Sequence, residues 1–499
     1  MKTDNRPDKL PVSFIQEQVI GAELNGLYDP DVMRVNCPTL SYLIKGSINT
    51  SVLDKALREI VRRHEILRTN YVVIDKQIFQ NINAVPDTVL QVSDLRSLTQ
   101  NDRESEAANI LNGITTRPFS FFDNRLMINA TLIIMGDEEN VLVVITNHIA
   151  TDGLSMMILQ EELFVLYQAY LYNMPSPLQE LPIQYADFTL WERRLYSGEF
   201  LEKKLDYWRN IPDTINSFLP VDHAPASQSY VGGIVPMSLL PELVKRLSLL
   251  GRGRSSTLFT VLFSAFIALI HAFSGYRYNF FCIPVANRAR KETRSVIGCF
   301  MNFQFVRVDL SGNPSFEELI DRVNRTLLDV YDNYVPFHFI TSVIPPQGPV
   351  VNFQLLTPLN TMKPRTDEKS SPDGTPSAES SPAESLSIES SPAESPSAES
   401  PPRKAPLQSA PALVTLPFRL PQSEFALFPM DVILSGNGNM VSGNLRYQTA
   451  SYDRSTILKL VNDYMVLLTK LVVNPNMRIQ ETGIRPHPGH GTGVPPASA

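Results

Sequence analysis

Hydrophobic positions along the chain switch repeatedly between the spacing of a helix and that of a strand. Residues 40–48 read as a strand that ends around Gly46 and Asn49. Residues 50–64 follow with Val52, Leu53, Ala56, Leu57, Ile60 and Val61 at intervals of three and four, which predicts an amphipathic helix. Residues 71–95 alternate loosely, as strands at a sheet edge do. Residues 107–114 read as a helix stopped by Arg117 and Pro118, and residues 125–135 as a strand turning through 136–140. The next run, residues 141–146, is aliphatic or β-branched at every position. A strand with one wet face would alternate, so this one is predicted to be buried on both faces. The chain then turns polar at Asn147, His148, Thr151, Asp152 and Gly153. A helix starts near Ser155, with Met156, Leu159, Leu163, Leu166 and Tyr170 on one face. A buried strand thus delivers a histidine into a turn held by rigid neighbours, a common setting for catalytic side chains.

After a proline-rich crossing at 175–182, Tyr185 opens what reads as one long charged helix to about Arg209. The border between two lobes is placed here, giving residues 1–180 to the first and 181–480 to the second. The second lobe is predicted to hold an apolar helix (256–273), a strand (279–285), a loop rich in Arg and Lys, and a strand (301–310). A helix (316–334) and another strand (350–355) follow. Residues 363–412 then break the pattern. The units SSPDGTPSAE, SSPAESLSIE and SSPAESPSAE stand end to end and place Glu379, Glu384, Glu389, Glu394 and Glu399 five residues apart. Pro, Ser and Glu offer little to bury, so ordering them costs entropy without return, and the segment is predicted to be a disordered insertion. Strands at 425–434 and 440–447 and a helix at 455–473 complete the lobe, and 481–499 read as a disordered tail.

Composition narrows the function. A chain of 499 residues with net charge −7 and no long basic run is a poor nucleic-acid binder. Cys37, Cys282 and Cys299 lie far apart without metal-ligand spacing, which predicts reduced thiols, no disulfide framework and no zinc site. The most apolar run, residues 258–273, is shorter than the roughly 20 residues a membrane span needs. The polar N-terminus has no signal-peptide core, so a soluble, cytoplasmic protein is expected.

A histidine at a strand end is more often structural than catalytic, and HxxxDG alone is a weak pattern. Five segments in order are more specific: Ser13 and Gln16 in VSFIQEQ, RHEILRTNY at 63–71, NHIATDGLS at 147–155, YADFTLW at 185–191 and IGCFMNFQFVR at 297–307. Through these the chain resembles the condensation domain of nonribosomal peptide synthetases, one of the HxxxDG acyltransferases that include chloramphenicol acetyltransferase. The resemblance implies an α/β fold of two chloramphenicol-acetyltransferase-like lobes in a V, with a central tunnel and His148 at its middle. Acyl or peptidyl carrier proteins would bring thioesters on phosphopantetheine arms, the chain itself binding no cofactor and no metal. A free-standing, monomeric acyltransferase is expected, forming an amide or ester with an amine or hydroxyl nucleophile.

Imidazole is the side chain suited to moving a proton near neutral pH, and the resemblance gives that work, or the steadying of the tetrahedral intermediate, to His148. It implies that Asp152 points away from substrate and pairs with an arginine, Arg63 by motif position, with Arg307 as second choice. Gly153 would leave room for the pantetheine arm and supply a flexible turn. Asn147 stands where relatives carry a first histidine, and an amide can donate and accept in its place. Trp191 reads first as a core aromatic at the lobe junction and second as a substrate contact. Asn302 is a candidate to line the tunnel. Arg288, Arg290, Lys291 and Arg294 read as a solvated loop, or as a dock for an acidic carrier. The stretch after Pro345 and His338 depart from the family pattern, and His338 is given no role. Two alternatives remain: a non-catalytic domain of the same fold that recruits a partner enzyme, and an acyltransferase releasing product onto a soluble alcohol.

Overall fold

Two separate sheets, each with its own apolar core, organise the chain. The computed structural model describes residues 6–26, 37–116, 119–123, 125–211, 220–223, 229–275, 278–344, 350–356, 414–417, 426–436 and 440–484. The insertion at 363–412 and residues 485–499 of the tail lie outside the described residues.

The first sheet runs Val414–Pro417, Thr39–Lys45, Glu139–Thr146, Ile128–Gly136, Leu90–Asp94 in spatial order. Glu139–Thr146 is its central strand, antiparallel to Thr39–Lys45 and to Ile128–Gly136, and seven of its eight residues are buried. This is the two-sided burial its unbroken apolar run predicts. Helices Thr50–Arg63 and Gly153–Leu171 cover one face, while Leu95, Ala107 and Leu111 close the other over Val141, Val143 and Ile145. The helix predicted at 107–114 runs from Gln100 to Thr116. Its first turns are too polar to show a stripe, and Thr99 sets their start by accepting from the Asp102 amide. Thr69–Ile74 and Gln77–Ile82 pair in a small separate sheet with Leu10–Pro11.

The second sheet has six strands in the order Asn302–Asp309, Tyr278–Val285, Val351–Leu356, Met430–Gly436, Val441–Gln448, Gly232–Leu239. The apolar helix Leu258–Ser274 is buried almost all round and packs Phe263 against Phe281 and Phe353. That is the environment its composition requires. Among the described residues no helix is long and apolar enough to cross a membrane.

The lobes exchange material. Val414–Pro417 follows four strands of the second sheet in sequence yet pairs with Tyr42–Lys45 of the first. Val296, Ile297 and Phe300, carried on the loop between two second-sheet strands, are buried in the first core, and Phe14 is buried in the second. The helix expected to run unbroken to Arg209 is two helices, Tyr185–Leu195 and Gly198–Arg209. Gly198 has φ +58°, a conformation that only glycine adopts cheaply. The break lets Tyr185 and Phe188 enter the first core while Leu205 and Trp208 enter the second.

Glu192 lies on the first of these helices, 2% exposed, with Oε2 accepting from the Phe14 amide at 3.1 Å. Burial pushes its carboxyl from 4.5 up to about 7. A carboxyl raised on folding holds its proton longer in the folded chain. Its contribution is therefore full below about 4.5 and is lost as pH rises through about 7. Glu192→Gln keeps an acceptor for Phe14 and removes the charge. It should gain stability over wild type by roughly 3 kcal/mol near pH 8, with the gap shrinking toward pH 5 in urea unfolding. A gap independent of pH would show that burial does not hold this carboxyl protonated.

Candidate functional site

The Glu139–Thr146 strand ends at Asn147, and the next six residues form a tightly bonded loop. Asn147 is buried; its Oδ1 accepts from the Ile149 amide (2.9 Å), and its carbonyl accepts from the Ala150 amide (3.0 Å) and Thr151 Oγ1 (3.1 Å). The Asn147 amide donates to the Met127 carbonyl (3.0 Å). Asn147 therefore supports the loop rather than reaching outward. Gln16 Nε2 donates to the Ile149 carbonyl (3.3 Å) and to Tyr71 Oη (2.9 Å), while Ser13 and Gln16 cap their helix reciprocally. That is why the VSFIQEQ segment belongs with the histidine. His148 alone of residues 147–152 is partly exposed. Its Nδ1 lies 4.0 Å from Cys299 Sγ.

Asp152 caps the Gly153–Leu171 helix, Oδ1 accepting from the Ser155 amide at 2.8 Å. Its partner corrects the expectation. Arg288 Nη2 donates to Oδ1 (3.1 Å) and Oδ2 (3.3 Å), with both side chains 3% exposed. Arg63 pairs instead with Glu162, and Arg307 lies over the Phe280 ring, 5.8 Å from its centroid. The reason is the loop exchange between lobes. Residues 286–301 leave the second sheet and cross onto the first lobe, bringing Arg288 to the carboxylate. Arg288 is thus neither solvated nor free to dock a carrier. Its Nη1 donates to the carbonyls of Thr293 (2.6 Å) and Val296 (2.7 Å), and its guanidinium stacks over Phe300 at 4.1 Å. Arg290, Lys291 and Arg294 of the same loop are exposed.

The segment Ile297-Gly298-Cys299-Phe300-Met301 is gripped residue by residue. The Ile297 amide donates to His64 Nδ1 (3.1 Å) and the Gly298 amide to Ser155 Oγ (3.0 Å). Tyr185 Oη donates to the Cys299 carbonyl (2.7 Å), and the Phe300 and Met301 amides donate to Asp152 Oδ2 (3.1 and 3.3 Å). Ser155 Oγ also accepts from Arg288 Nη2 (2.8 Å) and has two acceptors at 2.8 Å for its proton, Asp152 Oδ1 and the Gly298 carbonyl. A Cβ at Gly298 would stand 2.1 Å from Tyr185 Cδ2, so only glycine fits.

His64 is fully buried and lies between Ile297 and Glu162, its Nε2 3.0 Å from Glu162 Oε2. Burial pushes its imidazole below the ordinary value against the opposing pull of Glu162. The ring is neutral, with Nδ1 accepting and Nε2–H donating. Burial by itself would raise Glu162, but His64 and Arg63 outweigh it and hold the carboxyl below the usual range.

Gly153 is exposed at the start of its helix and its φ is not positive, so the backbone there does not need glycine as a left-handed turn would. Its missing Cβ faces Leu356 Cδ2 at 3.4 Å. Trp191 packs 5.8 Å from Phe188 and carries the Arg290 guanidinium 4.9 Å above its ring, a junction aromatic. Asn302 departs from the tunnel-lining expectation. It is 2% exposed, and its Oδ1 accepts from the amides of Phe303 (2.9 Å) and Phe337 (3.1 Å), bracing the Phe337–Val343 helix.

Sequence reasoning missed Glu162, Cys299 and the part Arg288 plays. Glu162 had a signal: it falls among Ile158, Leu159, Leu163 and Leu166 on the buried face of its helix, where a carboxylate needs a partner. Arg288 and Cys299 had none, because only the folded loop brings them to the histidine turn.

The family model described as "Condensation domain" matches residues 8–395. A linear gramicidin synthase of Brevibacillus parabrevis is 36% identical over 338 residues, 67% of this chain. Malpinin synthetase of Mortierella alpina is 30% identical over 477 residues, 94% of this chain. The chain spans about 6% of the length of each of these relatives. Among solved structures, the complex of the X-domain and OxyB from teicoplanin biosynthesis aligns with TM-score 0.74 and 21% identity, covering 97% of both chains.

Asp152→Ala would strand Arg288 in the interior and leave two loop amides without an acceptor. A loss of roughly 3–5 kcal/mol in urea unfolding, with reduced soluble yield, is expected. A stable but inactive variant would instead place the carboxylate in the chemistry. Gly298→Ala should likewise cost the fold, since the added methyl meets the Tyr185 ring.

Proposed function

Since the chain belongs to the condensation-domain family, we propose that it joins a carrier-bound acyl or peptidyl thioester to an amine or hydroxyl nucleophile. The observation that carries this is the contrast within one loop. Asn147, Ile149, Ala150, Thr151 and Asp152 are buried, and His148 alone of residues 147–152 is partly exposed, beside the Cys299 side chain brought by the crossing loop. The nucleophile attacks the thioester carbonyl, a C–N or C–O bond forms, the C–S bond breaks, and the carrier leaves as a thiol. An imidazole can serve this in two ways: an unprotonated Nε2 takes the nucleophile's proton, or an Nε2–H donates to the tetrahedral oxyanion. Asp152 is a positioning residue in this reading, holding the helix start and the crossing loop. In this reading a phosphopantetheine arm would pass the exposed helix start at Gly153, next to Leu356. That the chain works free-standing belongs to the same proposal.

A second reading is a condensation-like domain that recruits a partner enzyme without catalysis. Asn147 in place of a first histidine, together with the likeness to an X-domain solved with OxyB, favours it.

One experiment separates the two. The isolated chain is incubated with separately supplied, acyl-loaded carrier and panels of amines and alcohols, and products are read by intact-protein mass spectrometry. His148→Ala should lower turnover by at least ~10²-fold while leaving the melting temperature nearly unchanged, because the side chain is partly exposed and, among the described residues, makes a single weak polar contact. Equal turnover in the variant would reduce His148 to scaffold. A wild-type chain without turnover that binds a partner enzyme would support recruitment.

A further inference from the structure

Among the described residues, Cys299 is the side chain with a polar contact to His148, and it comes from the loop that crosses from the second sheet. We propose that Cys299 is a positioning residue for His148, its S–H donating to Nδ1 and so fixing the ring in the tautomer that presents Nε2–H. This rests on the reading that His148 acts in the reaction.

Three observations carry it. Sγ and Nδ1 stand 4.0 Å apart, and neither group has another side-chain hydrogen-bond partner among the described residues. Both ends are rigid. The Cys299 carbonyl is held by Tyr185, with its neighbours Gly298 and Phe300 held by Ser155 and Asp152, while the His148 turn is held by Asn147, Thr151 and Gln16. Neither partner can drift away without breaking several hydrogen bonds. Finally, Cys299 is 4% exposed, and burial raises its thiol well above the ordinary value, so the sulfur keeps its proton. Between a thiol and an unprotonated imidazole nitrogen, the nitrogen is the far better acceptor. The proton therefore points from sulfur to Nδ1, and the ring's own hydrogen sits on Nε2.

This selects between the two roles open to the imidazole. With Nε2–H facing the reacting carbonyl, His148 donates to the oxyanion as the amine nitrogen bonds to the thioester carbon. When the C–S bond breaks, its electron pair goes to sulfur. The proton the nitrogen must lose passes to that departing thiolate, giving amide and thiol with no net proton change. The arrangement suits an amine, which attacks without prior deprotonation, better than an alcohol.

The test is the tautomer of His148 in protein carrying ¹⁵N-labelled histidine, assigned among the seven histidines by the signal lost in His148→Ala. Long-range ¹H–¹⁵N spectra should show Nδ1 unprotonated and Nε2 protonated in the wild type, a mixture of tautomers in Cys299→Ala, and the wild-type pattern largely kept in Cys299→Ser. With loaded carrier and amine, Cys299→Ala should lose about tenfold in kcat at unchanged KM, and Cys299→Ser should recover part of it. A wild-type ring protonated on Nδ1, or a tautomer ratio untouched by Cys299→Ala, would overturn the proposal. The wild-type spectrum needs no substrate and no variant fold, so it reports on this contact alone. Absent turnover on every loaded carrier would count against the condensation reading instead.

Discussion

One buried ion pair, Asp152 with Arg288, ties the histidine turn to the loop that crosses from the second sheet. The carboxylate does three things with two oxygens: it caps the helix that follows the turn, accepts two amides of the Ile297–Met301 segment, and neutralises a guanidinium delivered from the other lobe. A buried pair of this kind adds little net stability over apolar packing, but removing one member leaves a charge with no counter-charge in the interior. Its value is geometric. It makes the fold of one lobe conditional on the loop of the other, and it sets where the two meet.

That conditional meeting explains the contrast between His148 and its surroundings. Each neighbour in the loop uses its polar atoms on internal bonds: Asn147 and Thr151 on the turn itself, Asp152 on the crossing segment. A side chain meant to act on a reacting group has to be held by neighbours whose own rotamers are locked. The strand behind it, buried on both faces, gives the turn a fixed base. The crossing segment, gripped by His64, Ser155, Tyr185 and Asp152, gives it a fixed roof.

Buried acids are treated in two ways here. Asp152 and Glu162 are each matched to an arginine. Glu192 and Asp431 are buried with weaker partners and are pushed up, to about 7 and about 6, toward the neutral form. The first pair joins segments across the lobes and near the turn. The second pair sits within the packed elements, where losing the charge is cheaper than ionising without a counter-ion.

The periodicity of the chain was enough to place the buried strand at 141–146, the helix that follows, and the histidine between them. Each rests on local spacing and burial that residues announce for themselves. Glu162 was legible in principle, as a carboxylate on an apolar helix face. Composition also marked 363–412 as unlike the rest, a segment outside the described residues. The tertiary structure alone decided that Asp152 meets Arg288 and not Arg63, that Asn302 braces the Phe337 helix, that the Tyr185 helix breaks at Gly198, and that Cys299 stands beside His148. These depend on a loop of one lobe crossing to the other. The sequence separation of 136 residues between Asp152 and Arg288 leaves no trace in any local pattern, because which of several arginines reaches a buried carboxylate is settled by how the two sheets pack.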